Sequence, residues 1–390
     1  MSGHRLTPEE TRLFLQMKPQ SRRAFMAAFG ATAAGFTLTA CGAGGGDGEA
    51  AKAGEAPATF TIAGSEGPEM KFLNWDTYIG ETTLADFEAA STVKVQMDLF
   101  SNNDELMAKF SAGNPGYDLI MPSNEFVTRM AEADMLQELD HSKIPNKANL
   151  LPEFQDVAFD PGRKYSMPYT WLVLGIGYRK SKMKDGVAPT SWKVLFDSDE
   201  YAGRISMLKE SADLFRLVFK YLGKGINDYT PELLAQAEAM LIKQKPNIKM
   251  FHEDNGQDQL ASGEVDLTLE YNGDIAQLMK EDEDVDFVIP AEGTLINSDC
   301  MCIPKGAPHP NNAHALINYL LDAKVGADIA STIQYGTPNA AAKALMDDSY
   351  KNNPVIFPPP AVMGKSEYGA YQGLEAARAY EAAMTRVLAA

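Results

Sequence analysis

From residue 70 onward the chain switches between two hydrophobic periods. "MKFLNW" (70–75) reads as a strand, and "TTLADFEAAS" (82–91) as a helix, with Leu84, Phe87 and Ala90 at helical spacing. "VKVQMDLF" (93–100) alternates as a strand. "NDELMAKFSAG" (103–113) is a helix started by Asn103 or Asp104 and stopped by Gly113. "YDLIMP" (117–122) is a short buried strand, and "NEFVTRMAEADML" (124–136) a helix capped by Ser123 or Asn124. This βαβαβα order predicts an α/β unit with a mainly parallel sheet.

The pattern resumes downstream. Strands are predicted at "GRISML" (203–208), "VDLTLEY" (265–271), "VDFVIP" (285–290) and "SDCMCIP" (298–304). Helices are predicted at 211–223, 231–244, 274–281, 311–322 and 323–333. These form a second α/β unit. The apolar segment "YSMPYTWLVLGIGY" (165–178) between the units suits a strand crossing from one to the other. No internal repeat is found.

In open α/β sheets ligands meet the carboxyl ends of strands. The chemically unusual residues fall there. Trp75, Asp76 and Tyr78 follow the first strand, and Ser123, Asn124 and Glu125 follow the third. Glu210 and Asp213 follow "RISML", Tyr271 and Asp274 follow "VDLTLEY", and Asp299 is placed at the start of a strand after "EGTLIN". A buried core disfavours Asp76, and a solvated loop disfavours Trp75 beside Tyr78. A site for an organic cation wants all three. Carboxylates accept strong charge-assisted hydrogen bonds from ammoniums. Aromatic faces pack on the methylene stem and attract the cation by roughly 0.5–2 kcal/mol each. Acids set apart with aromatics between them fit a linear di- or triamine; an anion would want Arg or an acid-free helix N-terminus.

Composition narrows the class further. A length of 390 residues predicts two domains. The net charge of −18 argues against nucleic acid as a partner and mostly reflects a solubilising surface. The N-terminus carries "SRRAFM" (21–26), a twin-arginine export pattern, before an Ala-rich apolar run to Ala40 too short to span a membrane. The run ends "LTACG" (38–42), which resembles a bacterial lipobox with Cys41 as the lipidated residue. Cleavage would remove residues 1–40, with five Lys or Arg and two Asp or Glu, taking the net charge from −18 to −21. Residues 42–59 are Gly/Ala-rich and read as a tether, so 41–68 is anchor plus linker before the fold. The protein is expected outside the cytoplasm, anchored to a membrane without crossing it. Cys300 and Cys302 lie on one strand face, poorly placed for a disulfide, and read as small buried hydrophobes. The five His residues are scattered, so no metal site is expected.

From about Met70 to Arg386 the chain resembles the spermidine/putrescine-binding proteins of ABC importers, within the type II periplasmic binding protein superfamily. The resemblance rests on "NWDTYI", "YDLIMPSN", "LQELDHSKIPN", "YSMPYTW", "NGD", "SDCMCIP", "ALINYLLDAKV" and "YGTPNAAA" in combination. It implies two α/β lobes around a ligand cleft with hinge strands: lobe one at 69–172 plus 272–318, lobe two at 173–271 plus 319–390. It also implies a monomer that hands a polyamine to a membrane permease and its ATPase. By resemblance, Trp75, Asp76, Tyr78, Ser123 and Tyr335 line the cleft. Asp274 beside Tyr271 grips an ammonium, Asp299 is another ammonium ligand, Glu210 and Asp213 form an acid pair on the second lobe, and Glu253 falls at a polar contact. Members often carry Trp where Tyr271 stands, and aromatics near Asn297 and Glu125, so this cleft is more acidic and less aromatic.

Enzymatic motifs are missing. "AVMGKS" has Pro359 where a phosphate loop needs Gly, "GIGYRK" lacks the third Gly of a dinucleotide fingerprint, and neither G-x-S-x-G nor H-E-x-x-H occurs. Paired carboxylates alone do not make a glycosidase. No cofactor is expected. Two other roles fit the same frame: binding another organic cation, such as a basic amino acid or guanidino compound, or serving as a ligand-loaded sensor partner. A basic amino acid would need an Arg in the cleft, with Arg179, Arg204 and Arg216 the nearest candidates.

Overall fold

The computed structural model describes residues 66–390. The twin-arginine segment, Cys41 and nearly all of the Gly/Ala-rich linker lie outside them. Ten strands form one hydrogen-bonded sheet: β1 (Glu69–Asn74), β2 (Lys94–Leu99), β3 (Leu119–Ile120), β4 (Ser166–Arg179), β5 (Ile205–Leu208), β6 (Ile248–His252), β7 (Leu267–Tyr271), β8 (Val285–Val288), β9 (Leu295–Cys302) and β10 (Glu367–Tyr368). The helices that matter for the site are α1 (Thr83–Ser91), α2 (Asn103–Phe110), α3 (Asn124–Glu132), α4 (Ser211–Tyr221), α5 (Pro231–Gln244), α6 (Gly256–Ala261), α7 (Asn272–Met279), α8 (Pro310–Leu320), α9 (Ala323–Ile333) and α10 (Leu374–Ala389).

The strand order is β2-β1-β3-β9-β4-β7-β5-β6, with β10 on β9 and β8 on β4. Strands β1, β2 and β3 are parallel, as the βαβαβα pattern requires. β1 is covered on both faces, so Phe72 and Leu73 are both fully buried; β2 is the edge and keeps Lys94, Gln96 and Asp98 polar. β4 is the long crossing strand expected at 165–178. Its first half pairs antiparallel with β9, and its second half pairs with β7 on one side and β8 on the other.

Two main cores flank this strand. The first gathers Phe72, Phe87, Leu106, Ile120, Val127, Met167 and Met301. The second gathers Leu174, Trp192, Met207, Phe215, Leu217, Leu241 and Leu269, closed by Tyr380, Ala383 and Val387 of α10. Two further groups of side chains pack across the joins between segments. Tyr319, Leu320, Ile329 and Ile333 pack in the first core, because a cut at 318 would pass through α8. Ile275, Val285 and Phe287 pack with Leu260 and Val265, because β8 is hydrogen-bonded to the second half of β4.

Helix starts also shift. The side chain of Asn102, not Asn103 or Asp104, caps α2 by accepting from Glu105 N at 2.8 Å. Ser123 occupies the cap position of α3 but makes no capping hydrogen bond, leaving its hydroxyl for the site. Cys300 and Cys302 are free and fully buried, and burial pushes the Cys300 thiol up to about 11.

Candidate functional site

Trp75, Asp76, Tyr78, Ser123, Leu172, Asp254, Tyr271, Asp274, Asp299 and Tyr335 line one cleft of about 360 Å³, part of it open to solvent. The topology brings them together. After β1 the chain turns through Thr77, whose φ of +52° is rare for a β-branched residue, with Thr77 N donating to Asp76 Oδ1 at 3.0 Å. This turn leaves Asp76 exposed at the rim and sends Trp75 and Tyr78 inward. Trp75 leans on Phe100 with ring centroids 4.1 Å apart and donates its Nε1–H to Met121 O at 2.9 Å.

Two buried carboxylates are each held by a tyrosine. Asp299 lies in the middle of β9, not at the start of a strand; it stands opposite Thr170 of β4 and is bridged to Ser123. Tyr78 donates to Asp299 Oδ2 at 2.7 Å and Ser123 donates to Asp299 Oδ1 at 2.7 Å. The Thr170 hydroxyl is bonded to the Tyr78 oxygen in turn. Tyr335 donates to Asp274 Oδ2 at 2.6 Å. Tyr78 and Tyr335 meet edge to face, centroids 5.1 Å apart.

The "NGD" stretch explains the second pole. Asn272 accepts from Val173 N at 3.0 Å and donates to Val355 O at 2.9 Å, fixing the end of β7 to β4. At Gly273 a Cβ would come within 2.4 Å of the Tyr335 ring, so only glycine lets that ring lie against the helix start. Asp274, in the first turn of α7, then receives the Tyr335 hydroxyl.

Burial raises these acids. It pushes Asp299 up to about 6, partly offset by the Ser123 and Tyr78 hydrogen bonds. It pushes Asp274 up to about 7, with Tyr335 pulling down and Asp299 pushing further up. Asp254 is raised well above the usual carboxylate range by burial and by the charges of Asp274 and Glu270. Glu270 is fully buried beneath the cleft and also raised, although it accepts from Gly256 N at 2.8 Å and Tyr271 N at 2.9 Å. Its neighbour His252 supplies no charge, since burial lowers the imidazole to about 4. Oxygens of Asp254, Glu270 and Asp274 lie within 4.8 Å of one another. Such a set could hold a metal ion or an ammonium.

Four expected residues sit elsewhere. Glu253 points away from the cleft to Lys209 and to Asn102 Nδ2, 2.9 Å away, while its neighbour Asp254 faces in. Glu210 lines an adjoining hollow with Asp104, Glu253 and Glu381. Glu125 is buried in an ion pair with Arg216. Asp213 lies behind the wall, accepting from Asn297 Nδ2 at 2.8 Å and Tyr271 at 3.3 Å, and burial lifts it to about 6 against the pull of Arg216. Leu172 and Asp254 were missed from the sequence. Asp254 follows β6, and β6 itself was not predicted because "IKMFH" carries no clear alternation.

An acidic, aromatic cleft between two α/β cores joined by a crossing strand has the form of a two-lobed solute receptor. The chain belongs to the bacterial extracellular solute-binding protein family, whose model matches residues 82–358. It is 31% identical over 309 residues to a putrescine/cadaverine-binding protein of Pseudomonas aeruginosa, covering 77% of this chain and 87% of that one. It is 32% identical over 334 residues to the spermidine/putrescine-binding periplasmic protein 1 of Haemophilus influenzae, covering 85% and 90%. A solved structure described as a spermidine/putrescine ABC transporter from Listeria monocytogenes superposes with a TM-score of 0.79 at 30% identity, covering 83% of this chain and 99% of that one.

Proposed function

We propose that the protein binds a polyamine outside the cytoplasm and delivers it to the permease of an ABC importer, without catalysis. One observation carries this: two tyrosine-held carboxylates, Asp299 and Asp274, face one aromatic cleft whose lining includes no Lys or Arg. Each ammonium of a linear amine would replace the missing counter-charge of one acid. Trp75, Tyr78 and Tyr271 would pack on its methylenes.

A basic amino acid fits less well, because its carboxylate would need a cleft arginine. Arg179 is committed to Asp282 and Asp284, Arg204 to Asp266, and Arg216 to Glu125. Lipidation at Cys41 after twin-arginine export would hold the receptor beside its permease. A ligand in the cleft would touch side chains from both sides of it, so its binding would favour the closed arrangement by population shift. The lobes would then be 69–173 with 297–335, and 174–296 with 360–390, around β4 and β9. Calorimetric titration with putrescine, spermidine and arginine tests the proposal. Saturable one-to-one binding of an amine, without arginine binding, supports it; a folded protein that binds no amine overturns it.

A further inference from the structure

The cleft lies on one face of β9, and a second hollow lies on the other. Neighbouring side chains of a strand point to opposite faces. Asp299 lines the cleft, while Ser298 beside it lines a separate hollow of about 1080 Å³, part of it open to solvent. One wall of the hollow carries Phe154, Val157 and Phe159, next to Thr128 of α3. The other is a strap, Tyr368 to Tyr371, that continues from β10.

The two walls belong to different cores. Phe159 packs against the first core, and Thr128 Oγ1 donates to its carbonyl at 2.9 Å. Beneath it, buried Arg163 donates from Nε to Phe154 O at 2.8 Å, with its guanidinium 5.2 Å from the Phe159 ring centroid. The strap is tied to the second core. Asn227 donates from Nδ2 to Tyr368 O and accepts from Ala370 N, both at 2.9 Å, and Arg216 Nη2 of α4 donates to Ala370 O at 2.7 Å. Asn124 holds both Gly369 O, at 2.7 Å, and Ser298 N, at 3.0 Å, so the walls part around a pivot beside β9.

The two sides of the cleft meet in this structure, with Asn102 Nδ2 donating to Glu253 Oε2 at 2.9 Å. On the opposite face the hollow stands open, and Tyr368 is 43% exposed. A rotation about β9 that opens the cleft drives the strap toward the first wall and takes apolar side chains out of water. We propose that this contact between the strap and the 153–159 wall, formed as the cleft opens, holds the empty receptor open and so sets how tightly the cleft retains its ligand. The inference rests on the receptor role above. Closure pulls the contact apart, and ligand binding supplies the difference. Apparent affinity then follows the closed fraction of the empty protein, through residues that never touch the ligand.

The test places bulk in the hollow. Ala158→Trp and Ala370→Trp put a large side chain on opposite walls, at exposed positions outside the cleft. The purified full-length protein, stripped of carried ligand by unfolding and refolding, is measured by small-angle X-ray scattering and by titration calorimetry with putrescine. Each empty variant is expected to be more compact than the empty unaltered protein, to match it when loaded, and to bind putrescine about fivefold or more tighter. Unmoved scattering in both variants overturns the inference. So does a putrescine affinity that is unmoved or weaker where the empty protein has compacted. Scattering of the empty protein needs no ligand, so it decides the inference even where putrescine does not bind, and failure to bind any amine overturns the amine role alone.

Discussion

The hydroxyl of Tyr78 donates to Asp299 Oδ2 at 2.7 Å, joining residues 221 positions apart at the centre of the cleft. The hydrogen bond fixes the carboxylate's direction. Because Asp299 accepts only from hydroxyls, it keeps a full negative charge available to a ligand once it is ionised. Asp299→Asn keeps the shape and removes that charge. A charge-assisted hydrogen bond contributes about 1.5–3 kcal/mol, so putrescine affinity should fall roughly tenfold to a hundredfold. Tyr78→Phe should cost less, since Ser123 still orients the carboxylate. Titration calorimetry of both variants checks the order.

Proton linkage gives an independent prediction. Asp299 is lifted to about 6 and Asp274 to about 7, so both are partly protonated in the empty cleft near neutrality. An ammonium needs the ionised forms, and its binding should release protons. Amine affinity should therefore rise from about pH 5 to about pH 8 and level off above both values. The sign for stability is the reverse. A carboxylate raised on folding contributes stability that is full below its unfolded value and is lost as pH rises through its folded value. The empty protein should lose stability from about pH 4 to about pH 7, and saturating putrescine should raise Tm more at about pH 8 than at about pH 5. A thermal shift that shrinks as pH rises would contradict this.

Gly273→Ala tests the packing that places the second pole. The new Cβ would sit 2.4 Å from the Tyr335 ring, so the ring must move and its hydroxyl must leave Asp274. Overpacking of this kind costs about 1–3 kcal/mol of stability. Amine affinity should fall by about tenfold in addition. In a Tyr335→Ala background the same Gly273→Ala change should be nearly silent, a non-additivity that a double-mutant cycle measures.

Cys41→Ser should release the exported protein from the membrane fraction while leaving amine affinity unchanged. Fractionation of cells expressing each form checks the anchor. Retention of the serine variant in membranes would exclude lipid at Cys41 as the attachment.

The alternation of helical and strand periods was enough to place the strands that end at the site, because β1, β3 and β7 are short, apolar and bounded by turns. The crossing role of β4 was legible for the same reason. β6 was not, since "IKMFH" mixes burial without a period, and with it went Asp254; the notion of acids at strand ends would have found that residue once the strand was seen. Glu253 shows the limit of the method: neighbouring side chains at a strand end face opposite ways, and only backbone direction tells them apart. Glu125 and Asp213 were legible as acids near the cleft but not as a pair sharing Arg216, because Glu125 and Arg216 lie on different helices in different cores. The hydrophobic pattern does not single out helix α10, although its Tyr380 and Val387 close the second core.

The most direct test is a crystal structure of the protein with putrescine. The account predicts one amine in the cleft, its methylenes beside Trp75, Tyr78 and Tyr271, one nitrogen within hydrogen-bond distance of Asp299 and the other of Asp274 or Asp254. An amine bound elsewhere, or one whose nitrogens avoid both poles, would contradict it.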